Sequence, residues 1–221
     1  QNVFDLISSG DTDAVFQLES AGMKKTMQEL KPNRLEDIIA GISLYRPGPM
    51  VEIPRYIEGK NNPEKVLYDH DSLKPILEVT YGCMVYQEQV MQIVRDLAGF
   101  SLGRADMVRR AMGHKDAAEM ERQKELFVNG QVDENGNVVV DGCVRRGIPE
   151  DTARMIFGKM QKFAEYAFNK SHATAYAVVA YQTAYLKRYH IVEFLAAVLN
   201  NRITNSDEIK KYVGYCMERN I

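Results

Sequence analysis

The sequence contains 221 residues, of which 45% are hydrophobic and 26% are charged, and its formal net charge is −2. These values are typical of an ordinary globular protein with one large domain or two small ones. They exclude nucleic-acid binding through bulk positive charge, so any such surface must come from local patches of cations.

Apolar residues near the start of the chain recur with the helical period. Met23, Met27 and Leu30 predict one helix, which Pro32 ends. A second helix, with Asn33 as its predicted N-cap, has an apolar stripe formed by Leu35, Ile38, Ile39 and Ile42.

A rigid turn is predicted at Arg46-Pro47-Gly48-Pro49, because two prolines around a glycine cannot continue a helix. The turn would hold Arg46 at its edge. Residues 52–80 then hold short helical pieces, which are interrupted by Pro54, Pro63 and Pro75.

The strongest helical pattern begins at Tyr86, and Gly99 stands where a C-terminal glycine belongs. One face of this helix consists of Val90, Ile93, Val94 and Leu97. Ser101 predicts the cap of a short helix over 103–112 that ends at Gly113, and a further helix is expected from about 116 to 128.

The segment 130–147 has a different pattern. An Asn-Gly turn signal at Asn135-Gly136, followed by three valines at 138–140, predicts a small β-hairpin as a peripheral decoration. Helices return at Pro149, and an Ala- and Tyr-rich helix is expected to follow Ser171 and run to about Tyr189. Two more helices fill 191–220. Close packing of the Ala-rich helix is predicted at Ala173, Ala177, Ala180 and Ala184.

Cations and aromatic residues alternate between Lys159 and Tyr176, at a junction between two helices. Aromatic faces can stack on bases, and cations with hydroxyls can bind phosphates. A core helix with a solvated basic edge explains the same pattern, and the residues alone do not decide between the two. The alternating residues are Lys159, Lys162, Phe163, Tyr166, Phe168, Lys170, His172 and Tyr176.

A second basic segment runs from Gly99 to Lys115 and carries Arg104, Arg109 and Arg110 against Asp106. Adjacent arginines on a helix point about 100° apart. We expect one arginine to pair with Asp106 and the other to be free for an anion, which arginine binds with two parallel hydrogen bonds. A solvated helix face is the alternative.

Other chemistry finds little support in the sequence. The four histidines have no i, i+3 or i, i+4 relation, and the cysteines, Cys83, Cys143 and Cys216, form no C-x-x-C pair. A zinc site and a disulfide framework are therefore disfavoured, and the cysteines fit a reducing cytoplasm. The paired carboxylates Glu36-Asp37 and Glu150-Asp151 fit the first turns of helices. No apolar run approaches the roughly 18 residues of a membrane span.

Several motifs follow one another in order between about Phe4 and Leu199: Val15-Phe16-Gln17-Leu18-Glu19-Ser20, Gly22-Met23, Tyr45-Arg46-Pro47-Gly48-Pro49, Tyr81-Gly82, Val85-Tyr86-Gln87-Glu88-Gln89-Val90-Met91-Gln92-Ile93, Arg109-Arg110-Ala111-Met112-Gly113, Phe168-Asn169-Lys170-Ser171-His172 and Tyr181-Gln182-Thr183-Ala184-Tyr185-Leu186-Lys187. This series closely resembles the alpha subunits of bacterial DNA polymerase III, the family C replicative polymerases. The resemblance implies a mainly α, multi-helix fingers domain with a small β-hairpin insertion near 131–143.

The resemblance further implies that the whole protein is a cytoplasmic DNA-directed DNA polymerase, a nucleotidyltransferase of DNA replication. The family's palm carries the aspartates that hold Mg²⁺, and those motifs are absent here, so no catalytic residue, metal site or bound cofactor is expected in this chain. The implied partners are the incoming dNTP, template-primer DNA, and the palm and thumb. The sliding clamp and other replisome subunits would bind elsewhere, and no membrane is implied.

By motif match, Arg109 and Arg110 would contact the triphosphate, and Lys170 and His172 would complete the pocket. Arg46 either joins them or supports the fold. Lys162, Tyr166 and Phe168 are candidates for DNA contact or base stacking, although core packing explains the aromatics equally well. Gln87 and Glu88 are expected to serve structure through hydrogen bonds.

Three departures from the family pattern bear on this interpretation. Glu165 and Ala167 stand where many members have glycine, which predicts a stiffer junction, and His114 stands where lysine is common.

By motif, the chain divides into a helical part over 1–130, the insertion over 131–147 and a helical part over 148–221. The start at Gln1 and the unterminated helix at Ile221 predict a piece of a longer polypeptide, inactive when isolated. The alternatives are an autonomous helical nucleic-acid-binding module without catalysis and a helical scaffold.

Overall fold

The computed structural model describes residues 1–114, 117–164 and 166–221. Lys115, Asp116, Glu165 and the side chains of His114, Ala117 and Ala164 lie outside the described part, and so do the sequence predictions that concern them. The α-helices are α1 Asn2–Ser9, α2 Ala21–Leu30, α3 Leu35–Leu44, α4 Ile53–Asn61, α5 Lys74–Leu77, α6 Gln87–Ala98, α7 Leu102–His114, α8 Ala117–Asn129, α9 Glu150–Ala164, α10 Lys170–Tyr189, α11 Ile191–Asn201 and α12 Ser206–Arg219.

The predicted class, mainly α with one small hairpin, is confirmed. Strands β1 (Gln131–Val132) and β2 (Val138–Val140) pair antiparallel, with Gln131 opposite Val140. The turn between them uses Gly136 at φ 82°, the conformation that the Asn-Gly signal predicts. Among the described residues, no helix is both long and apolar enough to cross a membrane.

Local signals in the sequence determine several helix ends. Ser20 accepts a hydrogen bond from Met23 N at the start of α2, and Ser101 accepts one from Arg104 N at the start of α7. Gly99 ends α6 in the left-handed region, as predicted. The cap predicted at Asn33 is wrong, because α3 begins at Leu35 and the Asp37 carboxylate accepts the Asn33 N–H at 3.1 Å.

The chain folds into two compact units, residues 1–42 with 172–221 (unit 1) and residues 43–171 (unit 2). These boundaries lie inside α3 and α10, whereas the sequence division at 130/131 and 147/148 followed motifs. Unit 1 buries the predicted stripe of small residues in α10, namely Ala173, Ala177, Ala180 and Ala184. Its core also includes aliphatic residues of α1–α3 and a cluster formed by Phe194, Leu195, Val198, Tyr212 and Tyr215.

Unit 2 is built around α6, whose predicted apolar face is fully buried. Helices α7, α8 and α9 pack against it, and the rings of Phe127 and Phe157 meet in their shared core with 5.4 Å between centroids. The segment after the hairpin is tied back to this core, since Cys143 N donates to Phe127 O at 2.8 Å. The predicted turn at Arg46-Pro47-Gly48-Pro49 follows α3, with Gly48 at φ 104°.

Candidate functional site

The segment 166–170 leads into α10 and is held by the start of α6. Tyr86 and Phe168 form a parallel β-bridge, in which Gln87 N donates to Phe168 O at 2.9 Å. The Gln87 side-chain amide also donates to Ala167 O at 3.2 Å. The structural role predicted for Gln87 is thereby confirmed.

Glu88 holds the next two residues. Its carboxylate accepts hydrogen bonds from Lys170 N at 3.1 and 3.2 Å and from Asn169 Nδ2 at 3.0 Å. Lys170 is the first residue of α10, so this carboxylate lies at the positive end of the helix dipole. The predicted hydrogen-bonding role of Glu88 is confirmed.

Two cations of unit 2 lie on aromatic faces. The guanidinium carbon of Arg46 is 3.6 Å from the ring centroid of Phe168, and Lys170 Nζ is 5.3 Å from that of Tyr86. Burial lowers the pKa of Arg46. The side chain remains a cation at neutral pH because the ordinary pKa of arginine is above 12.

Tyr166 lies over the Pro-Gly-Pro turn with 48% of its surface exposed. Together with Arg46, Pro47, Pro49 and Ala167 it lines an open hollow. The exposed ring of Tyr166 is accessible for stacking, whereas Phe168 is half-buried beneath Arg46. Lys162 is exposed in the last turn of α9.

Arg109 and Arg110 share one carboxylate on α7. Arg109 Nε and Nη2 lie 2.8 Å from Asp106 Oδ1, and Arg110 Nε lies 2.8 Å from Asp106 Oδ2. These partners lower the pKa of Asp106. The prediction that only one arginine pairs with Asp106 is wrong, because the two carboxylate oxygens accept from arginines at both i+3 and i+4.

His172 belongs to unit 1, where its ring stacks on Tyr176 with 4.2 Å between centroids. Tyr176 in turn packs against Phe16 at 5.1 Å. The structure therefore groups Arg46 with Phe168 and Arg109 with Arg110 in unit 2, and His172 with Tyr176 and Phe16 in unit 1.

Sequence reasoning assigned no role to Gln89, which supports the start of α6 from inside the core. It is 3% exposed, accepts from Val85 N and Tyr86 N at 2.8 and 3.0 Å, and donates to Thr80 Oγ1 at 2.8 Å. A signal was present, because Gln89 lies four residues before Ile93 on the apolar face of the helix. A buried amide on such a face requires hydrogen-bond partners.

The described residues contain no group of three or more His, Cys, Asp or Glu side chains that could hold a metal ion. Burial raises the pKa values of Cys83 and Cys143 to about 12, so neither thiol is a ready nucleophile at neutral pH. The chemistry available at the unit 2 surface is anion binding by cations and stacking on exposed aromatic rings.

Fold and surface together define a helical domain that presents cations and aromatic rings and contains, in its described part, no metal cluster. The family model for the bacterial DNA polymerase III alpha subunit finger domain matches residues 1–135. The chain belongs to this family, as its motif order indicated.

Relatives named DNA polymerase III subunit alpha match along almost the whole chain. Those from Thermus aquaticus, Deinococcus radiodurans and Rickettsia bellii are 49%, 47% and 46% identical, over 215, 221 and 221 residues. The matches cover 95%, 97% and 100% of this chain but only 17%, 16% and 18% of the relatives.

Proposed function

We propose that this chain acts as the fingers of a DNA-directed DNA polymerase, where it receives the incoming dNTP and helps to position template-primer DNA during replication in the cytoplasm. Family membership supports the polymerase assignment. The observation that carries the surface assignment is the pair of cations held on aromatic rings, Arg46 on Phe168 and Lys170 on Tyr86.

A triphosphate requires cations whose positions are set before it binds, since ordering flexible side chains costs entropy. Arg46 and Lys170 satisfy this requirement through their ring contacts, and Arg109 and Arg110 satisfy it through Asp106. Tyr166, with its exposed ring, and Lys162 would contact DNA. The role of His172 in the pocket is proposed from the motif alone.

Mg²⁺-dependent phosphoryl transfer is assigned to a palm elsewhere in the longer protein. The described residues of this chain offer no acidic cluster for such ions. The fingers would contribute binding and charge neutralisation, and the palm would contribute the metal ions, as in other phosphoryl transferases.

Single-nucleotide incorporation by the full-length polymerase chain tests the proposal. We expect Lys170→Ala and Arg109→Ala each to raise the apparent KM for dNTP about tenfold, the effect of losing one charge-assisted hydrogen bond. Primer-template affinity, measured by fluorescence anisotropy, should change little. Lys210→Ala removes a cation that is 79% exposed in unit 1 and serves as the control.

An equal loss of DNA affinity and of incorporation would show that these residues contact the DNA and not the nucleotide. Unchanged kinetics in both variants would show that Lys170 and Arg109 are ordinary solvated surface residues, and this result would overturn the proposal.

A further inference from the structure

We infer that Glu88 is a positioning residue, whose carboxylate fixes the first turn of α10 and so determines where the Lys170 ammonium group meets the triphosphate. The inference rests on the proposed function. It concerns a residue that the motif match did not place in the pocket.

The Glu88 carboxylate occupies the N-terminal end of α10. The N–H groups of the first turn of a helix have no partner within the helix, and they form an anion site in many proteins. Here the Glu88 carboxylate already accepts the Lys170 N–H, at 3.1 and 3.2 Å. A phosphate therefore cannot use this N–H without displacing Glu88, so the contact with the triphosphate is assigned to the Lys170 side chain.

One short segment, from Tyr86 to Glu88, contacts both the backbone and the ammonium end of Lys170. The Glu88 carboxylate accepts the Lys170 N–H, and the ring centroid of Tyr86 lies 5.3 Å from Lys170 Nζ. The Tyr86–Phe168 bridge fixes the chain two residues before the helix begins. A lysine side chain has four rotatable bonds, so the position of its ammonium group is well defined only if the backbone that carries it is fixed.

The segment that contacts Lys170 is itself anchored to the core. Gln89, 3% exposed, binds the Val85 and Tyr86 N–H groups and reaches Thr80 in the interior. Displacement of Glu88 relative to the core would break this buried network. Through Glu88, the backbone of Lys170 is therefore held in a fixed position relative to the unit 2 core.

A double-mutant cycle in the full-length polymerase tests the inference, with KM for dNTP and kcat measured separately in single-nucleotide incorporation. We expect Glu88→Ala to raise KM about tenfold in the wild-type background. Glu88→Gln keeps one acceptor oxygen and should recover part of the loss. In the Lys170→Ala background, Glu88→Ala should change KM less than twofold, because the group it positions is gone.

A matched control removes a carboxylate that accepts similar backbone hydrogen bonds and has no proposed role at the site. Asp133 accepts from Asn135 N at 2.9 Å and Asn137 N at 2.8 Å in the hairpin. Asp133→Ala should lose those bonds without a change in KM. Thermal unfolding of all variants separates a loss of folded protein, which lowers the active fraction and kcat, from a change in KM.

The outcomes distinguish the two claims. If Lys170→Ala leaves KM unchanged, the proposed function fails, and this inference fails with it. If Lys170→Ala raises KM but Glu88→Ala does not, or if Glu88→Ala has its full effect in the Lys170→Ala background, the inference alone is overturned.

Discussion

The guanidinium of Arg46 lies over the ring of Phe168, with 3.6 Å between its central carbon and the ring centroid. Arg46 belongs to the turn after α3, whereas Phe168 belongs to the short segment that Tyr86 and Gln87 hold. The ring therefore gives the cation a fixed platform at the edge of the hollow beside Tyr166. A planar cation stacks on such a platform, and an ammonium group does so less well.

Arg46→Lys keeps the charge and removes the planar group. We expect kcat/KM for nucleotide incorporation by the full-length polymerase to fall about fivefold, corresponding to ~1 kcal/mol of lost cation–π and hydrogen-bond energy. Arg95→Lys is the control, because Arg95 binds its neighbour Asp96 at 2.6 Å on the surface. Wild-type kinetics for Arg46→Lys would show that charge alone matters at this position.

Asp106 partly neutralises the two arginines that would bind phosphate. Asp106→Asn should leave adjacent cations at Arg109 and Arg110, and so tighten the binding of inorganic triphosphate by about threefold at low salt, a typical magnitude for exposed pairs. The gain should shrink as salt is added, since screening weakens exposed charges. Isothermal titration at two salt concentrations measures both effects.

Asp207→Asn, which removes a carboxylate 3.9 Å from Lys210, controls for net charge. Weaker triphosphate binding by Asp106→Asn would mean that Asp106 chiefly orients the arginines.

Much of the local structure was predictable, because it depends on residues close together in the chain. The stripe from Val90 to Leu97 predicts α6 by its period, and Asn135-Gly136 predicts the hairpin by its turn conformation. Ser101 and Gly99 mark helix ends for reasons of hydrogen bonding and backbone freedom. The family motifs identified the family of the chain, but the order of motifs gives no distances between side chains.

The contacts that build the site were not predictable from such local signals. The pairing of Arg46 with Phe168 and the capping of α10 by Glu88 join distant positions of the chain. Neither residue pair has a periodic relation that a sequence pattern would reveal. The sharing of Asp106 by two arginines was missed for a different reason, since it depends on both oxygens of one carboxylate.

Gly48 should not tolerate a side chain. Its φ is 104°, and an added Cβ would lie 2.4 Å from Tyr166 Cδ1. We expect Gly48→Ala to lower the free energy of unfolding by about 1–3 kcal/mol through backbone strain, and to displace the Tyr166 ring. Urea unfolding measures the first effect, and tyrosine chemical shifts report the second.

Gly158 provides the matched control, because a Cβ there meets no atom within 4 Å in the middle of α9. Gly158→Ala should raise stability by up to about 1 kcal/mol through helix propensity. Equal stability losses at both positions would refute the strain argument for Gly48.

Lys187 is a buried cation in unit 1, with a side chain only 1% exposed. It donates to Asp11 Oδ1 and Asp13 O, each at 3.0 Å, while burial lowers its pKa. Removing the partner of a buried charge costs more than replacing the charge itself. Asp11→Ala should therefore lower the free energy of unfolding by about 3 kcal/mol, and Lys187→Met by about 1 kcal/mol.

The two values come from urea unfolding at neutral pH. The contrast is expected because Asp11 retains the Tyr215 hydroxyl, 2.9 Å away, when Lys187 is replaced. A larger loss for Lys187→Met than for Asp11→Ala would contradict this account.

The ionisation of Glu119 should make the stability of α8 depend on pH. Hydrogen bonds from Arg122 and Gln123 lower its pKa from 4.5 to about 2. The unfolded chain therefore binds this proton more readily than the folded chain. The stabilisation is complete above about pH 4.5 and is lost as the pH falls from there towards 2. Carbon-13 NMR titration of the carboxyl group should give the depressed value.

Arg122→Ala should return the pKa of Glu119 towards its ordinary value and reduce the loss of stability between neutral pH and pH 3, since less of the carboxylate's stabilisation then remains to be lost. Lys124→Ala is the matched control, because Lys124 pairs with Glu121 at 3.2 Å and should leave the Glu119 titration unchanged. Because the Glu119–Arg122 pair is partly exposed, added salt should weaken the shift. A Glu119 titration that Arg122→Ala does not move would assign the low pKa to Gln123 and to the dipole of α8 instead.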